Sequence, residues 1–554
     1  MSAQSRALSI PEILDLIFGN LAIEDDGLLA PKTFGGETGS DTDALDWWDS
    51  GSDSESSDSD LDLGLSEDSD SDSMSSLSSL GSGILPFRTH IPGMGKRSAL
   101  FSAALTCRRF TPSALRVLWR TMDSLDPLIS VLPVDITRSR KRLLAAEIPP
   151  EAWAKFEAYG NRIHVLTLSK KGVKSMTCKS RNRSVYVALF AMNRLQLPSL
   201  RALIITRLNN SACLTICSSL LASPRLDRIR IDSVASRDVF ASFCTILHHT
   251  AQQPLHSFLV NSVVRAADLE SIISPTLHVL QVGIGRKGSD LQKLANLPLL
   301  RELYLRLAGD MDDISVSLPS LKVLRLSGKL NSISGFLSSC RCDAERVSIK
   351  LPDDWHLVAT PGPEPGILFA IISKRWKNNI KHIELDCSSY KKPLADVWDN
   401  FLETITPLQD IPLLTLRILN SPFRLDSKDI ILSVPQYFPH IQTLELPWSK
   451  TPKGLTFRQL RSLAEGCPHL QYLGVTVTLQ ANLSKLPVLN HGLKALNVLN
   501  STTTVPALDT ASNLHRIFPL LTRIETTSFA LKHEKWKDVE RMLELLHERE
   551  RVLP

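Results

Sequence analysis

Gly93-Met94-Gly95-Lys96-Arg97-Ser98 gathers two glycines, a lysine and a hydroxyl, the materials of a loop that wraps a nucleotide phosphate. Such a loop needs four residues between its glycines and a Ser or Thr directly after the lysine to reach magnesium. Here one residue separates the glycines and Arg97 follows Lys96, so phosphoryl chemistry is not expected. Hydrolysis lacks its parts as well: there is no Gly-x-Ser-x-Gly elbow and no His-Glu-x-x-His pair, and His248-His249 end a predicted helix without an acidic partner. Nine cysteines stand at 107, 178, 213, 217, 244, 340, 342, 387 and 467. Cys340 and Cys342 form a CxC and Cys213 and Cys217 a CxxxC, but neither has a second pair at zinc-ligand spacing, and the scatter is not that of a disulfide framework. Buried thiols are expected, with no metal, no cofactor and no catalytic residue. The chemistry that remains is recognition.

The elements that must position it repeat. From Ile163 onward a pattern of apolar–x–x–apolar–x–apolar recurs, as in Leu200-Arg-Ala-Leu203-Ile-Ile205, Leu226-Asp-Arg-Ile229-Arg-Ile231, Leu277-His-Val-Leu280-Gln-Val282, Leu300-Arg-Glu-Leu303-Tyr-Leu305 and Leu321-Lys-Val-Leu324-Arg-Leu326. Further copies begin at Ile380, Ile441, Leu470 and Leu493, and weaker ones at Ile163, Leu255, Ala344 and Leu413. Copies at 200, 226, 255, 277, 300 and 321 are 26, 29, 22, 23 and 21 residues apart, close to the spacing of leucine-rich repeats, which the pattern resembles. Pro198, Pro224, Pro275, Pro298, Pro319, Pro439 and Pro468 each stand two residues before a copy, read as closing the preceding segment and leading into an extended strand. The last two apolar positions alternate, so both side chains point into one core; a single strand cannot bury them, and stacked neighbours complete it. The fold class expected is α/β: an irregular solenoid over 161–530 with a parallel inner sheet, outer helices such as Ser236 to His249, and a capping helix over 531–554. The usual asparagine ladder is missing, and the gaps Lys350–Ile380 and Ile380–Leu413 predict inserted loops. A doubly wound domain is disfavoured because no glycine-rich strand–helix turn accompanies the strands.

Between the two core positions of successive copies stand Arg230, Tyr304, Arg325, Glu384, Arg417 and Glu445, flanked by Arg228, Arg306, Arg346, Lys350 and His382. From Arg228 to Lys350 the set is mainly basic with an aromatic, which suits a peptide bearing acidic or phosphorylated groups. The residues expected to bind a target protein are therefore Arg228, Arg230, Tyr304, Arg306, Arg325 and Arg346. Nucleic acid is disfavoured because no stacking platform interleaves with the basic residues; Arg138-Ser-Arg-Lys-Arg142 reads as a nuclear signal or an exposed linker.

Between Thr33 and Phe87 the composition changes sharply. Fourteen of the 58 acidic residues fall there with no Lys or Arg, so the net charge of +5 conceals a remainder of formally +19. The segment cannot bury enough apolar surface to offset its ordering entropy, and disorder is expected over about 24–97. Ser52, Ser57, Ser59 and Ser69 each precede an acidic residue by three positions, a pattern suited to acidophilic kinases. No stretch reaches the eighteen or so apolar residues of a membrane span and no secretory leader is read, so a cytoplasmic or nuclear protein is expected.

Two helical fragments flank that segment. Leu8 to Leu21 has Ser9 as N-cap, Pro11 near the first helical position and Ile13, Leu14, Ile17 and Leu21 on one face. Ser98 to Met122 carries Leu100, Ala104, Leu105, Cys107, Phe110, Leu115, Leu118 and Trp119 over two short helices joined near Thr111-Pro112. Read together, Ile10-Pro11-Glu12-Ile13-Leu14, Ile17 and Leu21, then Leu100, Ala104-Leu105-Thr106-Cys107-Arg108-Arg109-Phe110, Leu115 and Leu118-Trp119-Arg120, they resemble the F-box, particularly its basidiomycete version. The departure is an insert of roughly seventy residues after the first helix, tolerable because loop closure costs only the logarithm of length. The resemblance implies a small N-terminal helical F-box over 8–122, followed by a helical linker at 123–160. It further implies docking to a Skp-type adaptor, and through it to a cullin, by Pro11, Ile13, Leu14, Ile17, Leu21, Leu100, Leu105, Cys107 and Phe110. The chain would then be a non-catalytic substrate receptor of a ubiquitin ligase. The alternative is a repeat scaffold whose F-box-like helices only cap the solenoid.

Overall fold

The computed structural model describes residues 94–552 apart from 137–141, 146, 169–182, 193, 209–210, 271, 286–290, 293, 295–296, 310–314, 352–364, 388–400, 420–432, 447–453, 480–486, 500 and 527–529. The acidic segment, Pro11, Ile13, Leu14, Ile17 and Leu21, and most of the cluster at Arg138 lie outside the described residues, as do the centres of the two long gaps. The described residues divide into two compact units, 94–118 and 119–552.

In the first unit, α1 (Met94–Thr106) and α2 (Thr111–Arg120, whose last two residues belong to the second unit) pack through Leu100, Ala104 and Ala114, with Phe110, Leu115 and Leu118 around them. The turn between them is closed by the Phe110 N–H donating to the Cys107 carbonyl at 2.9 Å, and by the Thr111 hydroxyl donating back to the Ala104 carbonyl at 2.7 Å.

Among the described residues, the second unit is built on one sheet of fifteen strands, every neighbouring pair parallel: β1 (Thr121–Met122), β2 (Val165–Leu168), β3 (Ala202–Ile205), β4 (Arg228–Ile231), β5 (Ser257–Val264), β6 (Val279–Ile284), β7 (Glu302–Leu307), β8 (Val323–Gly328), β9 (Arg346–Lys350), β10 (His382–Asp386), β11 (Thr415–Leu419), β12 (Thr443–Glu445), β13 (Tyr472–Gly474), β14 (Ala495–Asn497) and β15 (Arg523–Glu525). Their order in the sheet follows the chain, as in a solenoid of the leucine-rich-repeat kind. Each copy read from the sequence becomes one of these strands. Its two closing apolar residues, such as Leu303 and Leu305 or Leu324 and Leu326, enter a core continuous along the unit. Two strands were not anticipated. β1 lies within the span assigned to the helical motif, and β15 follows Leu521-Thr-Arg-Ile524, whose third apolar position is Thr526.

The prolines do something other than lead into the strand. In Leu197-Pro198-Ser199-Leu200 the Leu200 N–H donates to the Leu197 carbonyl at 2.9 Å, and the same bond closes Ser223–Leu226, Ser274–Leu277, Leu297–Leu300, Leu318–Leu321, Phe438–Ile441, Cys467–Leu470 and Phe518–Leu521. Proline thus sits second in a four-residue turn, where its fixed φ is already correct. The repeat is a turn–strand unit, and Pro519 marks the one that leads to the fifteenth strand.

Outer helices supply the other wall. Arg237–Thr250 starts at Ser236, whose side chain accepts from the Val239 N–H, and buries Phe240, Phe243, Cys244 and Leu247 at one-face spacing. Phe457–Gly466 starts with a reciprocal Thr456/Gln459 capping box. The span expected to be a helical linker holds helices Asp126–Ile129 and Pro150–Gly160, but also an antiparallel pair, Val134–Ile136 with Arg142–Leu144. At the far end, helix Ala530–Val552 packs on helix Ala507–Ile517 and buries Trp536, Val539 and Leu543.

Candidate functional site

The sheet face turned away from the helices carries, from β4 onward, the residue that follows the first core position of each strand. Parallel registration aligns these residues side by side: Arg230, Leu259, Gln281, Tyr304, Arg325, Ser348, Glu384, Arg417, Glu445, Gly474, Asn497 and Glu525, in that order. Neighbouring strands are about 4.8 Å apart, so adjacent side chains touch and local charge order decides what each can still bind.

The row has two characters. From β10 to β15 it satisfies itself. Arg417 places Nη2 at 2.8 Å from Glu445 and Nη1 at 3.5 Å from Glu384. Asn497 donates to Glu445 at 3.2 Å, and the Tyr472 hydroxyl donates to Glu525 at 3.1 Å. Burial, abetted by Glu525 and Glu384, holds the Glu445 carboxyl above its usual value against the pull of Arg417. Burial works against the Arg417 charge too, but Glu445 and Glu384 outweigh it and raise the guanidinium further. Burial likewise pushes the Tyr472 hydroxyl up to about 12. Tyr472, Asn497 and Glu525 were not singled out from the sequence, although the first two occupy the third and fifth positions of copies that were.

From β7 to β9 the charge is surplus. The Arg325 guanidinium lies 4.8 Å over the Tyr304 ring, a cation–π arrangement, with its buried Nε unpaired. Tyr304 is itself buried and donates its hydroxyl to Glu302 at 2.9 Å; burial raises its pKa. Arg306 and Arg346 are exposed. Arg306 stands between Gly283 and Ser327, neighbours too short to cover it, and Arg346 stands beside His382. Among the described residues Arg306, Arg325 and Arg346 form no ion pair.

The remaining predicted residues lie elsewhere on the same face. Arg230 is buried and its Nε donates to Asp232 at 2.8 Å, while Arg228 on the flanking row sits half-buried, 3.8 Å from Asp227. Leu259 and Gln281, both buried, separate them from Tyr304. The six expected residues therefore make two groups, of which the one at Tyr304, Arg306, Arg325 and Arg346 keeps charge to offer. Lys350 is paired with Asp386 at 3.7 Å.

In the first unit, Leu100 is buried between α1 and α2, Cys107 and Phe110 are half-buried at the turn, and Leu105 is 73% exposed beside Phe101 at 55%. Among the described residues no cluster of three His, Cys, Asp or Glu is placed to hold a metal, and no helix is long and apolar enough to cross a membrane.

No protein-family model matches the chain, and no curated protein does. Among solved structures, a leucine-rich-repeat protein of Leptospira interrogans is similar over 70% of this chain and 91% of its own, at 14% identity and a TM-score of 0.27.

Proposed function

We propose that this chain is a protein-binding repeat receptor: the open sheet face around Tyr304, Arg306, Arg325 and Arg346 captures an acidic or phosphorylated segment of a target, and the N-terminal helices dock a Skp-type adaptor of a cullin ubiquitin ligase. The observation that carries the first half is the surplus of arginine on β7 to β9, beside a row that elsewhere neutralises itself. Guanidinium groups recognise carboxylate and phosphate in a two-pronged geometry, and stacking on tyrosine holds one such fork in place. The second half rests on the F-box resemblance and on the apolar ridge of Phe101 and Leu105, which the α1–α2 packing does not use. Ubiquitin transfer would belong to the other subunits, and this chain would supply no catalytic group.

Purified full-length chain is mixed with a purified Skp-type adaptor. Co-elution of the wild type, lost when Pro11 and Leu14 are both replaced by Glu, supports the receptor reading. Failure of the wild type to co-elute removes the ligase role and leaves a scaffold with a helical cap.

A further inference from the structure

Cys340 and Cys342 differ from the other thiols among the described residues. They stand two apart on the short strand Cys340–Cys342, on the same side, with their sulfurs 3.8 Å from each other. Cys340 is 1% exposed and Cys342 is only partly buried, so Cys342 is the more accessible residue of the pair and Cys340 lies deeper. The Cys342 carbonyl is anchored by the Trp376 indole N–H at 2.6 Å, which fixes the strand where the second sulfur hangs. The Cys340 thiol donates to Cys342, and this bond, aided by the Ala344 N–H, outweighs burial and lowers the Cys342 pKa while raising that of Cys340. The helix Ser211–Leu221 offers an internal comparison. Cys213 and Cys217 are equally close at 3.9 Å, but both are buried, and Cys217 is pushed well up by its bond to Cys213 and by burial.

We propose that Cys340 and Cys342 form a reversible redox site, in which Cys342 is oxidised by a hydroperoxide and Cys340 resolves it to an intra-strand disulfide. The Cys342 thiolate attacks one oxygen of hydrogen peroxide; the O–O bond breaks, and hydroxide leaves and takes up a proton to become water. The sulfur, having given up two electrons, is now a sulfenic acid. Cys340 then loses its proton and displaces hydroxide from that sulfur. An S–S bond of about 2.05 Å forms and a second water is released. Thiol reductants reverse the step by exchange.

Arg341 lies between the two cysteines, so trypsin separates them into different peptides unless a disulfide joins them. The folded, full-length chain is treated with hydrogen peroxide at neutral pH and digested without reduction. The expected result is a linked pair of peptides carrying Cys340 and Cys342, separated again by dithiothreitol, with Cys213 and Cys217 still free thiols. In Cys340→Ser protein, dimedone should label Cys342, and in Cys342→Ser protein Cys340 should stay unlabelled. The wild-type digest needs no variant, so a folding defect in either substitution leaves the test intact. The inference is overturned if no linked pair appears, if Cys213 and Cys217 oxidise as fast, or if protein unfolded in guanidinium forms the link at the same rate.

Discussion

Arg417 serves two carboxylates, Glu384 and Glu445, and Glu445 sits at the centre of the network because Gly474 leaves it room: a Cβ on Gly474 would lie 2.6 Å from the Glu445 Cγ. Gly474→Ala should push Glu445 off Arg417 and leave buried charge poorly paired. A loss of about 2 kcal/mol is expected, read as a lower urea midpoint with unchanged slope. The histidines set a pH dependence of their own. Burial, together with stacked His278 at 4.1 Å and neighbouring arginines, lowers the His256 pKa; burial with Arg346 and Lys381 lowers that of His382. In the unfolded chain these imidazoles take up protons near pH ~6.5, before the folded ones do, so the unfolded state binds more protons just below that value. Stability should therefore fall as the pH drops through this window. A double His256→Gln, His382→Gln variant should show a shallower decline in urea midpoint between pH 7.5 and 5.5 than the wild type; equal slopes would contradict the assignment.

At the scale of elements, the strands were legible because two apolar residues flanking one polar residue recur wherever a parallel strand must bury one face. β15 escaped because its third apolar position is Thr526, and β1 because no motif precedes Thr121; the turn at Pro519 was the usable signal for the former. The outward positions were legible by the same alternation, but their pairing was not. Arg230 is held by Asp232 only two residues on, but that Arg325 stacks on Tyr304 and meets no acid among the described residues depends on a neighbour one strand away, which no local spacing reveals. The α1–α2 pair makes a further prediction. Leu105, 73% exposed, should accept Asp with little change in stability, within about 0.5 kcal/mol, while adaptor capture is lost. Ala114→Asp, at a fully buried position of the same helical pair, should instead unfold it. Circular dichroism melts alongside adaptor pull-down separate the two outcomes, and unimpaired capture by the Leu105→Asp chain would count against docking through this ridge.

Across the whole repeat unit, fifteen parallel strands leave two open ends, and each end exposes core unless something covers it. Helix Ala530–Val552 meets this need at the last strand through Trp536, Val539 and Leu543, with the Glu540 carboxylate accepting from the Ile524 N–H of β15 at 3.0 Å. A chain ending at Thr526 should melt at lower temperature and self-associate, seen by light scattering during the melt; an unchanged transition would mean that the last repeat closes itself. Charge is distributed just as unevenly, with arginine surplus on β7 to β9 and a neutralised row from β10 onward, and that asymmetry is the basis for the proposal that the open face captures a target. It is tested most directly by affinity purification of the full-length chain from cells that make it, with partners quantified by mass spectrometry for the wild type and for an Arg306→Glu, Arg325→Glu variant. The account predicts that acidic or phosphorylated partners fall at least tenfold while a Skp-type adaptor is recovered unchanged. An unaltered partner profile would contradict it.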